Sequence, residues 1–214
     1  ERSGRNLLFA TGHLLPQKFM RQAADGAGKP AVAFTTPFRS GPDWQASDGS
    51  IIIEMLDSTS HLGAIDPAGR LRAEVKGPGT QRIAKLSPDG KWLAYMSNES
   101  GRFEIYVQPW PALDRKVAVS SEGGTEPAWG PDGTELFFRH GGTLMASKLV
   151  TGPTLQFSRP EPLFDTSRYA TDPTGDPSYD VGPDGRFLMI EDDPETRIEL
   201  RVETSALAPS RTRQ

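Results

Sequence analysis

The stretch Leu86–Trp110, LSPDGKWLAYMSNESGRFEIYVQPW, decides the fold. It begins with a turn, SPDG. Proline presets the second turn position, aspartate bonds its own backbone, and glycine takes positive φ without a steric penalty. The run KWLAYMSN follows, then a polar gap, then the alternating run FEIYV. Apolar or alternating residues on both sides of a tight turn are a hairpin signal.

Weaker copies of the stretch recur along the chain. The turn returns as GPDG at Gly130–Gly133 and Gly182–Gly185, as ASDG at Ala46–Gly49 and faintly as RSGR at Arg2–Arg5. From Gly4 through Gly49, Gly90 and Gly133 to Gly185, the glycines stand 45, 41, 43 and 52 residues apart. The last interval carries an insertion, TSRYATDPTGDPSY. Short runs precede each later turn (PDWQA, RIAKL, EPAWG, PSYDV), and up to three strand-like runs follow each one. Four short antiparallel strands repeated every 40–45 residues are the sequence form of a β-propeller blade. The first unit has no strand before its turn. The last has only TSALAPSRTRQ for a fourth strand.

The predicted architecture is therefore all-β: one propeller domain over residues 1–214, with about five four-stranded blades at roughly 1–36, 37–78, 79–122, 123–167 and 168–214. Two ring forms stay open: a true five-bladed ring, and the carboxyl-terminal part of a six- or seven-bladed one. A β-sandwich would lack a turn sequence recurring at one point of the period.

Composition agrees. The 214 residues include 22 glycines and 19 prolines, 36% hydrophobic residues and a net charge of −4. Such a chain favours many turns over long helices, and without a basic stripe it offers no nucleic-acid footprint. Cysteine is absent, which excludes disulfides, thiolate metal sites and cysteine nucleophiles. No apolar run approaches the ~20 residues of a membrane span, and no signal peptide is visible. The chain starts at Glu1 rather than Met, which is read as a processed form or part of a longer protein.

The segments LSPDGKWLAYMSNESGRFEIYV and PAWGPDGTELFFR resemble the WD40-like PD40 repeat of TolB-type propellers. SRPEPLFDT and YDVGPDGRFLMI are similar to the propeller appended to bacterial transmembrane serine/threonine kinases. The resemblance is strong at 81–150 and 177–202 and weak over 1–80. It implies a non-enzymatic extracytoplasmic bacterial module, a sensor or docking domain, that binds protein, peptide or a small ligand at one face. It carries no shared catalytic residues. The alternatives are a propeller hydrolase or lyase with its site at the channel face, and the propeller part of a prolyl-oligopeptidase-like enzyme. A third is self-association through open blade edges.

Loops that join one blade's outer strand to the next blade's inner strand lie around the channel. They bring Arg39, Asp43, Trp44, Gln81, Arg82, Glu126, Trp129, Tyr169, Asp176 and Tyr179 toward one rim. Aromatic rings with a few charges form a recognition surface. The competing expectation is that Trp44, Trp129 and Tyr179 pack between blades and that Arg39, Arg82 and Glu126 are solvated or paired. His13, His61 and His140 fall near second-to-third-strand connections of three different blades, so no metal site and no cofactor is expected. EDDPET at Glu191–Thr196 reads as a solvated turn. DPTGD at Asp172–Asp176, with two carboxylates about a glycine turn, is the better calcium candidate, although a plain turn is expected there too. No G-x-S-x-G elbow, P-loop or G-x-G-x-x-G motif occurs.

Overall fold

The computed structural model describes residues 4–12, 15–56, 59–150, 154–172, 176–192 and 198–203, the last group and Asp192 by backbone path alone. Among the described residues there is no helix, and every strand belongs to one of five antiparallel sheets in sequence order. The first holds β1 (Asn6–Thr11), β2 (Gln17–Ala23) and β3 (Ala31–Thr36). The second holds β4 (Ser40–Gln45), β5 (Ile51–Leu56), β6 (Ser60–Ile65) and β7 (Leu71–Glu74). β8 (Gln81–Leu86), β9 (Trp92–Ser97), β10 (Glu104–Pro109) and β11 (Val117–Ala118) make the third. The fourth comprises β12 (Thr125–Trp129), β13 (Glu135–His140), β14 (Thr143–Val150), β15 (Gln156–Phe157) and β16 (Glu161–Asp165). The fifth comprises β17 (Tyr179–Val181), β18 (Phe187–Asp192) and β19 (Ile198–Glu203).

The second and third sheets are the four-stranded meander expected of a blade, the first and fifth have three strands among the described residues, and the fourth has five. Beyond β14 the fourth sheet is edged by two short strands: β16 pairs with Thr143–Ala146 and β15 with Leu149–Val150. The eight-residue β14 is longer than its five-residue neighbour β16, so the unpaired end takes a second partner.

The four repeated Asp-Gly turns, at Gly49, Gly90, Gly133 and Gly185, close the same hairpin, between a sheet's first and second strands, whereas Asp25-Gly26 turns between β2 and β3. In each, the glycine N–H donates to the carbonyl three residues back, at 3.1, 2.8, 3.0 and 2.9 Å for Gly49, Gly90, Gly133 and Gly185. Their φ values of 84, 74, 73 and 77° are left-handed, which explains why glycine holds that position. The turns share one rim. A Cβ on Gly90 would lie 3.6 Å from Ser47 Oγ in the preceding turn, and one on Gly133 would lie 3.3 Å from Pro88 Cδ.

The second strands of the middle three sheets, β5, β9 and β13, are buried on both faces, so successive side chains enter different cores. Ile51, Ile53 and Met55 pack with Phe19 and Phe34 of the first sheet. Ile52 packs with Leu86, Leu93 and Tyr95 of the third. In β9, Ala94 and Met96 face Trp129, Leu136 and Phe138 of the fourth sheet. In β13, Phe137 turns the other way and meets Phe187 edge-on at 5.0 Å. Four apolar seams thus join the five described sheets as consecutive propeller blades. Burial of these side chains contributes ~25 cal/mol per Å² of apolar area.

Candidate functional site at the axial rim

The inner strands β4, β8, β12 and β17 position the site: Arg82 and Glu126 stand at the strand ends away from the Asp-Gly turns, and Trp44 and Lys85 at the ends beside them. Three of them carry an irregularity at one point of the repeat. The ladder slips between Pro42 and Trp44, between Arg82 and Lys85, and between Thr125 and Ala128. Ile83 and Glu126, each seven residues before its turn glycine, take positive φ of 54 and 55°. A bulge turns the side chains beside it out of the regular alternation. Here it presents polar groups to the blade seams and the rim.

The first cluster centres on Arg82. Its Nε lies 2.7 Å from Glu54 Oε1, and its Nη2 lies 3.3 Å from Asp176 Oδ1. Glu54 is buried and also accepts the Ser60 hydroxyl. Asp176 leads into β17, so this cation ties the second, third and fifth sheets together. Beside it, Asp43 Oδ2 accepts the Ala84 N–H at 3.1 Å. Burial pushes the Asp43 carboxyl up to about 7; the Ala84 N–H opposes the rise and the Glu54 charge adds to it. Trp44 is 37% exposed, with Lys85 Nζ 5.3 Å from its ring centre.

The second cluster is buried between the fourth and fifth sheets. Glu126 Oε2 accepts the Ser178 N–H at 2.8 Å and its hydroxyl at 2.6 Å. The Glu126 carbonyl accepts the Tyr179 hydroxyl at 2.8 Å. Arg139, 2% exposed, brings Nε to 3.4 Å from Glu126 Oε1 and its guanidinium to 6.0 Å from the Tyr179 ring. Burial raises the Glu126 carboxyl, against the pull of Ser178 and Arg139, and holds the Tyr179 phenol well above its ordinary range.

The candidates from sequence thus divide. Asp43, Arg82 and Asp176 gather about Glu54, Trp44 stands apart beside Lys85, and Glu126 and Tyr179 meet inside the seam. Trp129 packs between the third and fourth sheets and donates Nε1–H to the Lys85 carbonyl at 3.0 Å. Gln81 is buried, and its amide donates to the carbonyls of Gly77, Pro78 and Gly79, which pins its own loop. Tyr169 is buried, and its hydroxyl accepts from Arg168 Nη2 at 2.6 Å. Arg39 is exposed, and its carbonyl accepts the Leu56 N–H at 2.8 Å. His61 Nε2 lies 3.2 Å from Glu74 Oε1, and His140 Nδ1 lies 3.1 Å from the Gly123 carbonyl. His13 lies outside the described residues, as do 173–175 and 193–196. Among the described residues, no three metal-ligating side chains converge.

Sequence reading missed Glu54, Lys85, Arg139 and Ser178. For two of them a signal exists. Glu54, Met96, Arg139 and Ile190 are equivalent positions: each lies four residues after the residue whose carbonyl closes the turn, namely Ser50, Trp92, Glu135 and Arg186. Two copies are apolar and two are charged. A charge at an apolar position of the repeat marks the polar seams.

No protein-family model and no curated protein matches the chain. Solved structures do. TolB from Acinetobacter baumannii is 17% identical with a TM-score of 0.64, over 94% of this chain and 50% of that one. A puromycin-hydrolyzing peptidase from Mycobacterium tuberculosis is 18% identical with a TM-score of 0.67, over 94% and 36%. A gluconolactonase from Xanthomonas campestris is 12% identical with a TM-score of 0.61, over 95% and 74%. The chain spans about half the length of the TolB it matches. The chain is a β-propeller whose solved structural neighbours are TolB and related propeller proteins.

Proposed function

We propose that this propeller is a non-enzymatic binding module working outside the cytoplasm, engaging protein, peptide or a small ligand at the channel face. The exposed Trp44 ring with Lys85 beside it is the observation that carries the reading. Aromatic and cationic side chains on a rigid frame supply most of the energy at recognition surfaces. Arg82 and Asp176, already paired, would hold that surface in shape. Among the described residues no helix is long and apolar enough to cross a membrane. A peptide array of bacterial envelope-protein termini, probed with the purified protein, tests the reading. Binding that disappears in Trp44→Ala and Lys85→Ala at unchanged Tm supports it. An array pattern indifferent to both substitutions refutes it.

A second reading, an enzyme, is favoured by one group. A carboxyl titrating near neutrality at a rim has the poise of a general acid–base, and Asp43 has it. Turnover of lactone, uronate-oligomer or peptide-amide substrates that vanishes in Asp43→Asn would establish that reading instead.

A further inference from the structure

We propose that a cleft between the third and fourth sheets, away from the axis, binds an organic carboxylate carrying an aromatic or branched apolar body. The cleft holds about 300 Å³, the lower end of small-molecule sites. Its apolar wall comes from Phe138, Met145, Pro160 and Pro162. Two basic groups stand over that wall, Arg159 on the segment leading into β16 and His140 at the end of β13. Arg159 is exposed and makes no ion pair among the described residues.

The floor is built before any ligand arrives. Glu104, 3% exposed, accepts the Gly123 N–H at 2.9 Å, the Ser120 hydroxyl and, at 3.0 Å, Arg102 Nε. A Cβ on Gly124 would lie 2.7 Å from Ser120 Oγ and 2.8 Å from Ile105 Cγ1, so the segment SSEGGT closes tightly over that buried carboxylate. The Gly123 carbonyl then orients His140. A carbonyl only accepts, so Nδ1 carries the hydrogen across the 3.1 Å contact, and Nε2 is left for a ligand. Pre-ordered groups lose little entropy on binding. With the Arg159 guanidinium above an apolar wall, and a second donor at His140 Nε2 whenever that ring is protonated, the complementary molecule is an acid with a hydrophobic tail. Glu122 lines the same cleft; its charge opposes an anion and directs the acid group to the Arg159 side.

The test is titration of the whole protein with 3-phenylpropionate, followed by amide chemical shifts of residues 120–124 and 140–145. The neutral 3-phenylpropanamide serves as comparison. Saturable shifts with the acid and not the amide support the proposal. Arg159→Gln should weaken binding roughly tenfold, since charge-assisted bonds are lost. Glu122→Gln should tighten it about twofold. Acetyl-Ala-Ala-Phe, as free acid and as amide, separates the sources. Binding of the peptide acid identifies the carboxyl terminus of a polypeptide as an occupant, and its exclusion identifies a free small acid. Equal binding of acid and amide overturns the proposal. So does unaltered affinity in Arg159→Gln, weaker binding in Glu122→Gln, or loss caused by Trp44→Ala on β4, which should leave this cleft untouched. Arg159 and Glu122 are exposed, so these variants fold and each outcome is readable.

Discussion

Glu54 and Arg82 meet across the seam between the second and third sheets, with Oε1 2.7 Å from Nε. The pair occupies a level at which β9 offers Met96 and β18 offers Ile190. The repeat can be built with an apolar side chain there. The ion pair is therefore a local choice of this seam, not a demand of the propeller. A buried pair contributes little net stability, whereas one orphaned partner is costly.

From this follows a comparison of two variants with the wild type. Arg82→Met strands the buried Glu54 and is expected to lower stability by about 2–3 kcal/mol, below the fully buried range because Arg82 keeps some solvent contact. The double change Glu54→Leu with Arg82→Met restores an apolar seam and should recover most of the loss. Urea unfolding of the three proteins decides the matter. A double variant no better than Arg82→Met would show that the pair itself holds the seam.

The Asp43 carboxyl gives stability a pH dependence of unusual sign. Its folded value is pushed up to about 7, against about 3.9 in an unfolded chain. Between those values the folded form holds a proton that the unfolded form has released, so stability falls as pH rises from about 4 to 7 and levels off above. Asp43→Asn should flatten that fall and unfold later than the wild type at pH 8. Glu126, raised for the same reason, leaves a residual slope. Thermal melts from pH 4 to 8 check it.

Phe137 is 1% exposed and edge-on to Phe187. Phe137→Ala opens a cavity between the fourth and fifth sheets and should cost roughly 3–5 kcal/mol. Hydrogen exchange should show β17–β19 released first, because this seam holds them to the rest.

Two turn glycines separate backbone strain from crowding. A methyl on Gly90 meets only Ser47 Oγ at 3.6 Å, whereas one on Gly133 meets Pro88 Cδ at 3.3 Å. Gly90→Ala should cost the left-handed penalty alone, about 1–2 kcal/mol. Gly133→Ala should cost more, because proline cannot swing aside. Equal Tm losses would contradict the shared rim.

The blades were legible in the sequence because their causes are local. A turn needs proline, aspartate and glycine in order, and a strand buried on both faces needs a run such as Ile51–Met55. These requirements repeat with the period, so they can be read without coordinates. Connection order also assigns Arg82 and Asp176 to one face, and the two meet there. What only the tertiary structure decided was which side chains meet. Arg82 and Asp176 are 94 residues apart, and Glu126 and Tyr179 are 53 apart. Their contacts depend on the bulges at Ile83 and Glu126, whose positive φ belongs to residue types that do not announce it. Gln81 and Tyr169 looked like rim groups by position, and their burial was settled by loop packing. Periodicity determines where each strand lies. The charge and hydrogen-bond pairing across seams is set by distances between strands that come together only on folding.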